Sequence, residues 1–195
     1  MESDVPREMG LEEVRDPEIV KQERQLTELF QAVEDGMIVL IGGTAVDILV
    51  QNELSRVHAD IDVASKREDA DSIVEQLKER YPNVGREGNK IIVPLDGTEV
   101  HIGLFDREQD GGYSIDFKGK TVVFSDAFFE SEPKYLATGR VRTLAPLVFM
   151  QTLNINEAMG VPMRQKDEVS RDLIKQIYFP EKEVNSPEFV PLIKQ

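Results

Sequence analysis

A short apolar run that ends in two glycines constrains the fold of this chain more than any other feature. The run, Met-Ile-Val-Leu-Ile, covers residues 37–41, and Gly42 and Gly43 follow it directly. A continuous apolar run of this length is typical of a strand that is buried on both faces. The next apolar stretch, 45–50, has helical spacing. The sequence therefore predicts a buried strand that turns into a helix at the glycines, where the backbone can pass close to a ligand and the helix N–H groups can hold a phosphate.

The remaining patterns predict one domain around this unit. The predicted elements are a helix from Pro17 to a stop at Gly36, a strand over 59–63, a helix over 67–80, hairpins over 90–104 and 113–124, and helices over 146–157 and 167–178. This order is typical of an α/β (α+β) domain over 17–179, with a mixed β-sheet flanked by helices over about 37–125 and C-terminal helices over about 126–179. An acidic lead-in over 1–16 and an irregular, proline-containing tail over 180–195 complete the expected organisation.

Charge and composition narrow the range of partners. The formal net charge is −14 and cysteine is absent, which excludes disulfides and thiolate sites. So acidic a surface disfavours a long nucleic acid, although a local strip of basic residues would leave a tRNA end open as a partner. That strip would consist of Lys118, Lys120, Arg140 and Arg142. The first residues lack the apolar run of a signal peptide, and no stretch approaches the roughly 18 apolar residues of a membrane span. We therefore expect a cytoplasmic protein without membrane contact.

Two Asp-x-Asp pairs differ in what they indicate. Asp60 and Asp62 lie on a predicted strand, where residues i and i+2 share a face, so both carboxylates project to one side. Two close carboxylates repel each other unless a cation lies between them, and carboxylates are the ligands that Mg²⁺ prefers. Asp69 and Asp71 lie at the start of a predicted helix, where i and i+2 point apart, so we interpret them as solvated residues of a first turn. A solvated strand face is the alternative for the first pair.

Glu99 and His101 share the face of another predicted strand, with Val100 and Ile102 on the opposite face. If this strand lies beside the Asp60–Asp62 strand, three carboxylates converge in an arrangement that suits metal-assisted phosphoryl chemistry. The alternative for His101 is a structural hydrogen bond. His58, which precedes the aspartate strand, has the same alternative.

The segments GGTAVD at 42–47 and SRVHADID at 55–62 resemble the signature of the polymerase-β-type nucleotidyltransferase superfamily. Within it, the chain is most similar to the aminoglycoside and lincosamide nucleotidyltransferases and to abortive-infection toxin-like nucleotidyltransferases. Glu99-Val100-His101 resembles their third-carboxylate strand. Leu144-Ala145-Pro146 and Lys166-Asp167 resemble motifs at later helix starts. The resemblance covers about residues 37–178.

The resemblance implies a nucleotidyltransferase fold and an Mg²⁺- or Mn²⁺-dependent transfer of a nucleoside monophosphate to a hydroxyl. Asp60, Asp62 and Glu99 would be the catalytic and metal-binding residues, and Glu99 would also act as base on the acceptor hydroxyl. The implied donor is an NTP, with ATP as the first choice, and pyrophosphate would leave. Residues expected to bind the nucleotide are Gly42, Gly43, Thr44, Arg56 and Lys166. Accessory positions are Asp47, His58 and His101. The acceptor would be a small molecule or a protein.

Several positions depart from the pattern of this family. Thr44 replaces a Trp or another large residue, Ser55 replaces Thr, Glu99 stands where Asp is commoner, and Ser170 stands where a further Asp is common. These departures keep two other interpretations open. One is a non-catalytic nucleotide- or metal-binding protein, or a toxin–antitoxin component that acts through a partner. The other is an acidic α/β domain whose Asp60 and Asp62 lie on a solvated face.

Overall fold

The computed structural model describes residues 15–184 and 186–194. The helices are α1 (Pro17–Gln31), α2 (Gly42–Gln51), α3 (Ala70–Lys78), α4 (Pro146–Leu153), α5 (Ile155–Ala158) and α6 (Gln165–Tyr178). The strands are β1 (Ile38–Leu40), β2 (Asp60–Lys66), β3 (Gly85–Glu87), β4 (Lys90–Leu95), β5 (Thr98–Arg107), β6 (Tyr113–Phe117), β7 (Lys120–Phe124), β8 (Pro133–Leu136), β9 (Gly139–Arg142) and β10 (Leu192–Lys194). The expected α/β (α+β) class with a mixed sheet is confirmed. Of the acidic lead-in expected over 1–16, residues 1–14 lie outside the described part of the chain.

The main sheet has the order β1-β2-β5-β6-β7-β10, with β4 also paired to β5 and β3 paired to β4. β2 and β5 are parallel, and the other pairs are antiparallel. β1 is fully buried, as its apolar run predicts. The parallel pair β2 and β5 needs a long crossover, which α3 and the β3–β4 hairpin supply. Because β2 and β5 are parallel, both strands start at the same end of the sheet.

The helix boundaries differ from the predicted ones at three places. Asp16 caps α1 by accepting a hydrogen bond from the Glu18 backbone N–H, but the helix ends at Gln31, well before Gly36. A 3₁₀ turn over Arg67–Asp69 precedes α3, so the helix predicted over 67–80 starts later. The helix predicted over 146–157 is divided at Asn154 into α4 and α5. In each case the pattern placed the helix correctly but not its end, as is usual for helix termini.

The C-terminal segment, expected as an irregular tail, contains a 3₁₀ turn over Pro187–Phe189 and the short strand β10. Phe189 is fully buried, and Asn154 and Gln151 donate side-chain hydrogen bonds to the backbone carbonyls of Phe189 and Glu188. Beyond this anchor, β10 pairs antiparallel with β7. Pro187 begins the 3₁₀ turn, a first helical position that suits proline, and the residues beyond Pro191 pair as an edge strand.

Candidate active site

The glycine turn between β1 and α2 lies directly against Asp62. Gly42 has a φ of +67°, and a Cβ built there would lie 2.9 Å from Asp62 Oδ2. The Ile41 N–H donates to the Asp62 carbonyl at 3.0 Å. Only glycine accommodates both the positive φ and this close approach. The turn predicted from the Gly-Gly pair thus brings the N-terminus of α2 next to β2, the strand that carries Asp60 and Asp62.

The register of β2 and β5 places the four candidate side chains in two rows. Asp60 is opposite Glu99, and Asp62 is opposite His101. One potential ligand atom from each of Asp60, Asp62 and His101 lies within 4.8 Å of the other two. The alternation of both strands confirms that Ile61, Val100 and Ile102 face the core. Asp60, Asp62 and His101 therefore form a compact donor set on the open face of the sheet.

Glu99 lies beside this cluster and does not belong to it. Its carboxylate oxygen Oε1 is hydrogen-bonded to His101 Nε2, and its side chain is 49% exposed. The expectation that three carboxylates converge is therefore met by two carboxylates and an imidazole, with the third carboxylate behind the imidazole. β5 lies beside β2, as expected for the strand of Glu99 and His101. The spacing of two residues along β5 does not show which of these side chains lies nearer Asp62.

The charge balance around Asp62 favours a bound cation. Burial of its carboxyl, together with the neighbouring charge of Asp60, raises the pKa of Asp62 above its ordinary value. The attraction of His101 in its protonated form, and of Lys166 and Arg164, opposes this rise but does not cancel it. A divalent cation between Asp60 and Asp62 would relieve the same repulsion. Two carboxylates with an imidazole are an acceptable donor set for such an ion, so the residues present fit the metal that the resemblance implies.

The N-terminus of α2 offers backbone donors beside this cluster. Its N-cap residue, Ile41, makes no side-chain capping hydrogen bond, so the first N–H groups of the helix are available for an anion. Gly43 is exposed, and a Cβ built there would lie 3.7 Å from Arg56 Nη2. Thr44, by contrast, is buried. Of the residues predicted to bind the nucleotide, Gly42, Gly43 and Arg56 are thus together at one opening, while the side chain of Thr44 packs inward.

Asp47 and His58 fix the loop that leads into β2. Asp47 Oδ2 accepts hydrogen bonds from the Ser55 N–H and hydroxyl at 3.0 and 2.7 Å, and it lies 3.0 Å from His58 Nε2. Burial opposes the charge on Asp47, but the hydrogen bonds from His58 and Ser55 outweigh it and hold the pKa of Asp47 below its ordinary value. Gln22 of α1 holds the backbone of His58 through both its N–H and its carbonyl. Both accessory residues thus take part in hydrogen bonds that hold residues 55–58, the loop before β2.

Arg164, which the sequence pattern did not indicate, lies near enough to Asp62 for its charge to act on that carboxyl. It precedes α6, pairs with Asp167 through bonds of 2.6 and 3.0 Å, and contributes positive charge at Asp62 as Lys166 does. The signal that was available is its position two residues before Lys166 at the start of the same helix. The structure thus adds a second cation at the edge of the carboxylate cluster.

Two of the four residues in the basic strip, Arg140 and Arg142, share one acidic partner. Arg140 and Arg142 both pair with Asp35, at 3.3 and 2.8 Å. Lys118 lies over the ring of Phe117 and donates to Asn156.

Among residues 15–184 and 186–194, no helix has the length and apolar character needed to cross a bilayer.

Comparison with known proteins agrees with this geometry. The sequence profile of the aminoglycoside-2''-adenylyltransferase family matches residues 24–148, more than half of the chain. This match includes the glycine turn and the strands that carry Asp60, Asp62 and Glu99. A search of curated protein sequences found no match.

Solved structures share the fold at low sequence identity. A lincosamide antibiotic adenylyltransferase, LnuA, in its lincomycin-bound form superposes with a TM-score of 0.55 at 16% identity, covering 80% of this chain and 96% of that one. The structure of ANT(2'')-Ia in complex with adenylyl-2''-tobramycin superposes with a TM-score of 0.52 at 15% identity, covering 80% of this chain and 88% of that one. The predicted nucleotidyltransferase fold is confirmed.

Proposed function

This chain belongs to the aminoglycoside-2''-adenylyltransferase family, and from that premise we propose that it transfers a nucleoside monophosphate from an NTP to a hydroxyl of a small molecule. ATP is the first choice of donor. The observation that carries the proposal is the convergence of Asp60, Asp62 and His101 beside the uncapped N-terminus of α2. One side of this opening suits a triphosphate, and the other side suits the ion that binds it.

The nucleotide would bind where backbone donors and positive side chains meet. The N–H groups at Gly42 and Gly43 are free of side-chain caps, and Arg56 lies over Gly43. Lys166 and Arg164 add positive charge on the Asp62 side. Phosphate oxygens are held best by such a combination of N–H groups and charged donors. The α-phosphate would then be oriented toward the open face that carries Glu99.

Glu99 is placed to act as the base. Its carboxylate is half exposed and has one oxygen, Oε1, on His101, which leaves the second oxygen for the acceptor hydroxyl. As the acceptor oxygen forms a bond to the α-phosphorus, its proton passes to Glu99, and the bond from that phosphorus to the bridging oxygen of pyrophosphate breaks. A divalent cation held by Asp60 and Asp62 would offset the charge that develops on the phosphate oxygens. Positioning of the two reactants is the remaining contribution.

The acceptor in this proposal is a small molecule, and two antibiotics serve as the first compounds to test. One of the two similar structures contains lincomycin, and the other contains adenylyl-2''-tobramycin, which is derived from the aminoglycoside tobramycin. The net charge of −14 favours cationic acceptors over nucleic acid. Both antibiotics carry hydroxyls and amines, and tobramycin is the more highly charged cation.

The first experiment is a thermal-shift screen of the four NTPs with Mg²⁺ or Mn²⁺, on the wild type and Asp62→Asn in parallel. A ligand at 100 times its dissociation constant adds about 2.7 kcal/mol, which is roughly 5–10 °C at this chain length. We expect a metal-dependent shift with ATP that the variant lacks. Transfer of label from α-labelled ATP to lincomycin or tobramycin then tests catalysis.

The same assays separate the enzyme from a protein that only binds nucleotide. Thr44 is buried and stands where the family resemblance implies a larger residue, and this departure keeps the second function in view. A metal-dependent shift without pyrophosphate release under any acceptor would support nucleotide binding alone. Absence of any shift with any NTP would contradict both functions.

A further inference from the structure

We propose that His101, and not Glu99, supplies the third protein ligand of the divalent metal, and that the site therefore prefers Mn²⁺ to Mg²⁺. This inference deepens the proposed function and rests on it. It departs from the family resemblance, in which a third carboxylate completes the metal site. The departure follows from the positions of four side chains on two adjacent strands.

The first step is the strand register. Asp62 is opposite His101, and Asp60 is opposite Glu99. Asp62 is also the residue that the Gly42 turn touches, so the row of Asp62 and His101 is the one nearer the glycine turn. Glu99 belongs to the outer row, at the start of both strands, and its side chain is 49% exposed. A metal beside Asp62 therefore has His101 as its neighbour on β5.

The second step is the ligand atoms themselves. Atoms of Asp60, Asp62 and His101 all lie within 4.8 Å of one another, close enough that small side-chain rotations would bring all three onto one ion with bonds of about 2.0–2.1 Å. Among the described residues no set of this kind includes Glu99. The donor set is therefore two carboxylates and one imidazole.

The third step is the role this gives to Glu99. Its carboxylate is hydrogen-bonded to His101 Nε2, and in the tautomer that donates this bond Nδ1 keeps its lone pair for a metal. Metal-ligating histidines commonly use the second ring nitrogen in this way, and the partner carboxylate fixes the tautomer and the ring orientation. Glu99 is then a positioning residue for the metal through His101, in addition to its place near the acceptor.

The fourth step is metal selectivity. Mg²⁺ takes oxygen ligands in a near-ideal octahedron, whereas the first-row transition ions, of which Mn²⁺ binds most weakly, form a series whose affinity for sites with nitrogen ligands is set by the metal. An all-carboxylate site offers these ions no nitrogen ligand. We expect the wild type to bind Mn²⁺ on the order of tenfold more tightly than Mg²⁺, and His101→Gln to lose most of that ratio.

The test uses Mn²⁺ as the probe and pulsed electron paramagnetic resonance as the readout. Mn²⁺ is added to the full chain alone and with inorganic pyrophosphate, which contains no nitrogen. We expect a ¹⁴N coupling from a directly bound imidazole, its replacement by a ¹⁵N coupling in protein labelled with ¹⁵N-histidine, and its loss in His101→Gln. The other histidine of the chain, His58, is buried and lies 3.0 Å from Asp47 Oδ2, so loss of the coupling in His101→Gln assigns it to His101. These signals do not depend on catalysis.

Calorimetric titration of Mn²⁺ adds the role of Glu99. Glu99→Gln should weaken Mn²⁺ binding about 10–100-fold, as loss of a partner behind a ligating histidine does, while the ¹⁴N coupling remains. The matched control is Asp71→Asn, which removes an exposed carboxylate on α3, beyond the other end of β2, and should leave Mn²⁺ binding unchanged.

Two results would overturn the inference. One is Mn²⁺ that binds in an Asp62-dependent way without a ¹⁴N coupling, and the other is no Mn²⁺ binding with or without pyrophosphate. The first result leaves the proposed function standing with Glu99 as the third ligand. Failure of the proposed function has a different signature, namely the absence of any Asp62-dependent shift with ATP and either metal.

Discussion

Two pairs of aspartates with identical spacing meet opposite fates in this molecule. Asp60 and Asp62 lie on β2, and their carboxylates lie close to His101 on the open face of the sheet. Asp69 and Asp71 lie where a 3₁₀ turn passes into α3, and Asp71 is 96% exposed with only Arg86 as partner, at 3.2 Å. Asp69 lines a cleft at the other end of β2 with Lys66 and Arg142. A spacing of two residues makes a site on a strand and two separate side chains on a helix.

The largest difference between the two pairs should be in catalysis. Asp62→Asn removes a metal-binding carboxylate, whose ion supplies several kcal/mol of transition-state stabilisation, so we expect the transfer rate to fall about 10³-fold. Asp71→Asn makes the same chemical change in the other pair and should leave the rate within about twofold. Pyrophosphate release measured with ATP and an accepted acceptor checks both variants. Equal rates for wild type and Asp62→Asn would end the comparison.

The second prediction tests the room that the glycine turn makes for the first pair. Gly42→Ala places a Cβ 2.9 Å from Asp62 Oδ2, and we expect it to weaken metal-dependent ATP binding about 10-fold or more. Gly36→Ala is the matched control, because Gly36 also has a positive φ but no atom within 4 Å of the added Cβ. It should cost about 1 kcal/mol of stability from backbone strain and leave ATP binding unchanged. Equal ATP affinities in the two variants would refute the role of the close approach.

The third prediction concerns the loop that delivers the first pair to its position. Asp47→Ala leaves the donors of Ser55 and His58 without their acceptor, so the free energy of unfolding should fall by about 1–3 kcal/mol. Because the pKa of Asp47 is lowered in the folded state, its carboxylate stabilises the fold above about pH 4 and this contribution is lost as the pH falls through the lowered pKa. Urea unfolding at pH 7 measures the loss in Asp47→Ala. Urea unfolding of the wild type and Asp47→Asn from pH 7 to pH 2 measures the pH-dependent contribution of the carboxylate charge. A pH-independent difference would show that the charge is not involved.

The smallest effect, and one of opposite sign, is on stability without metal. The pKa of Asp62 is raised by burial and by Asp60, so the folded state loses stability as the pH rises through that pKa. Asp62→Asn should therefore stabilise the metal-free protein at pH 7, by about 0.5–2 kcal/mol as other such substitutions do, with no gain below about pH 3.9. Asp71→Asn should stay within about 0.5 kcal/mol of the wild type. Thermal unfolding with a chelator present checks the sign, and a lower Tm for Asp62→Asn would contradict it.

Much of the site could be read from local pattern because its parts are local. The run 37–41, the glycine turn and the alternation around Ile61 each involve neighbours in sequence, and period-2 alternation fixes which side chains share a face. The same holds for the β4–β5 hairpin at Asp96-Gly97, where a two-residue turn of this type sets the register. Arg164 was missed because a single base before a helix has no pattern of its own.

Contacts distant in sequence were the ones that pattern could not supply. β10 pairs with β7, about 70 residues earlier, and its docking depends on burial of Phe189. The short strands β3, β8 and β9 have three or four residues each, too few for alternation to show. Their existence depends on neighbours that only the folded chain provides.

The sequence by itself determined that Asp60 and Asp62 share one face of a strand beside a glycine turn, because strand geometry and the steric freedom of glycine are properties of the local chain. Only the tertiary structure decided which residue of β5 joins them. Parallel pairing puts His101 opposite Asp62 and Glu99 opposite Asp60, and the Glu99 carboxylate turns to His101. Register between strands separated by a helix and a hairpin depends on the packing of the whole sheet, and a spacing of two residues contains no record of it.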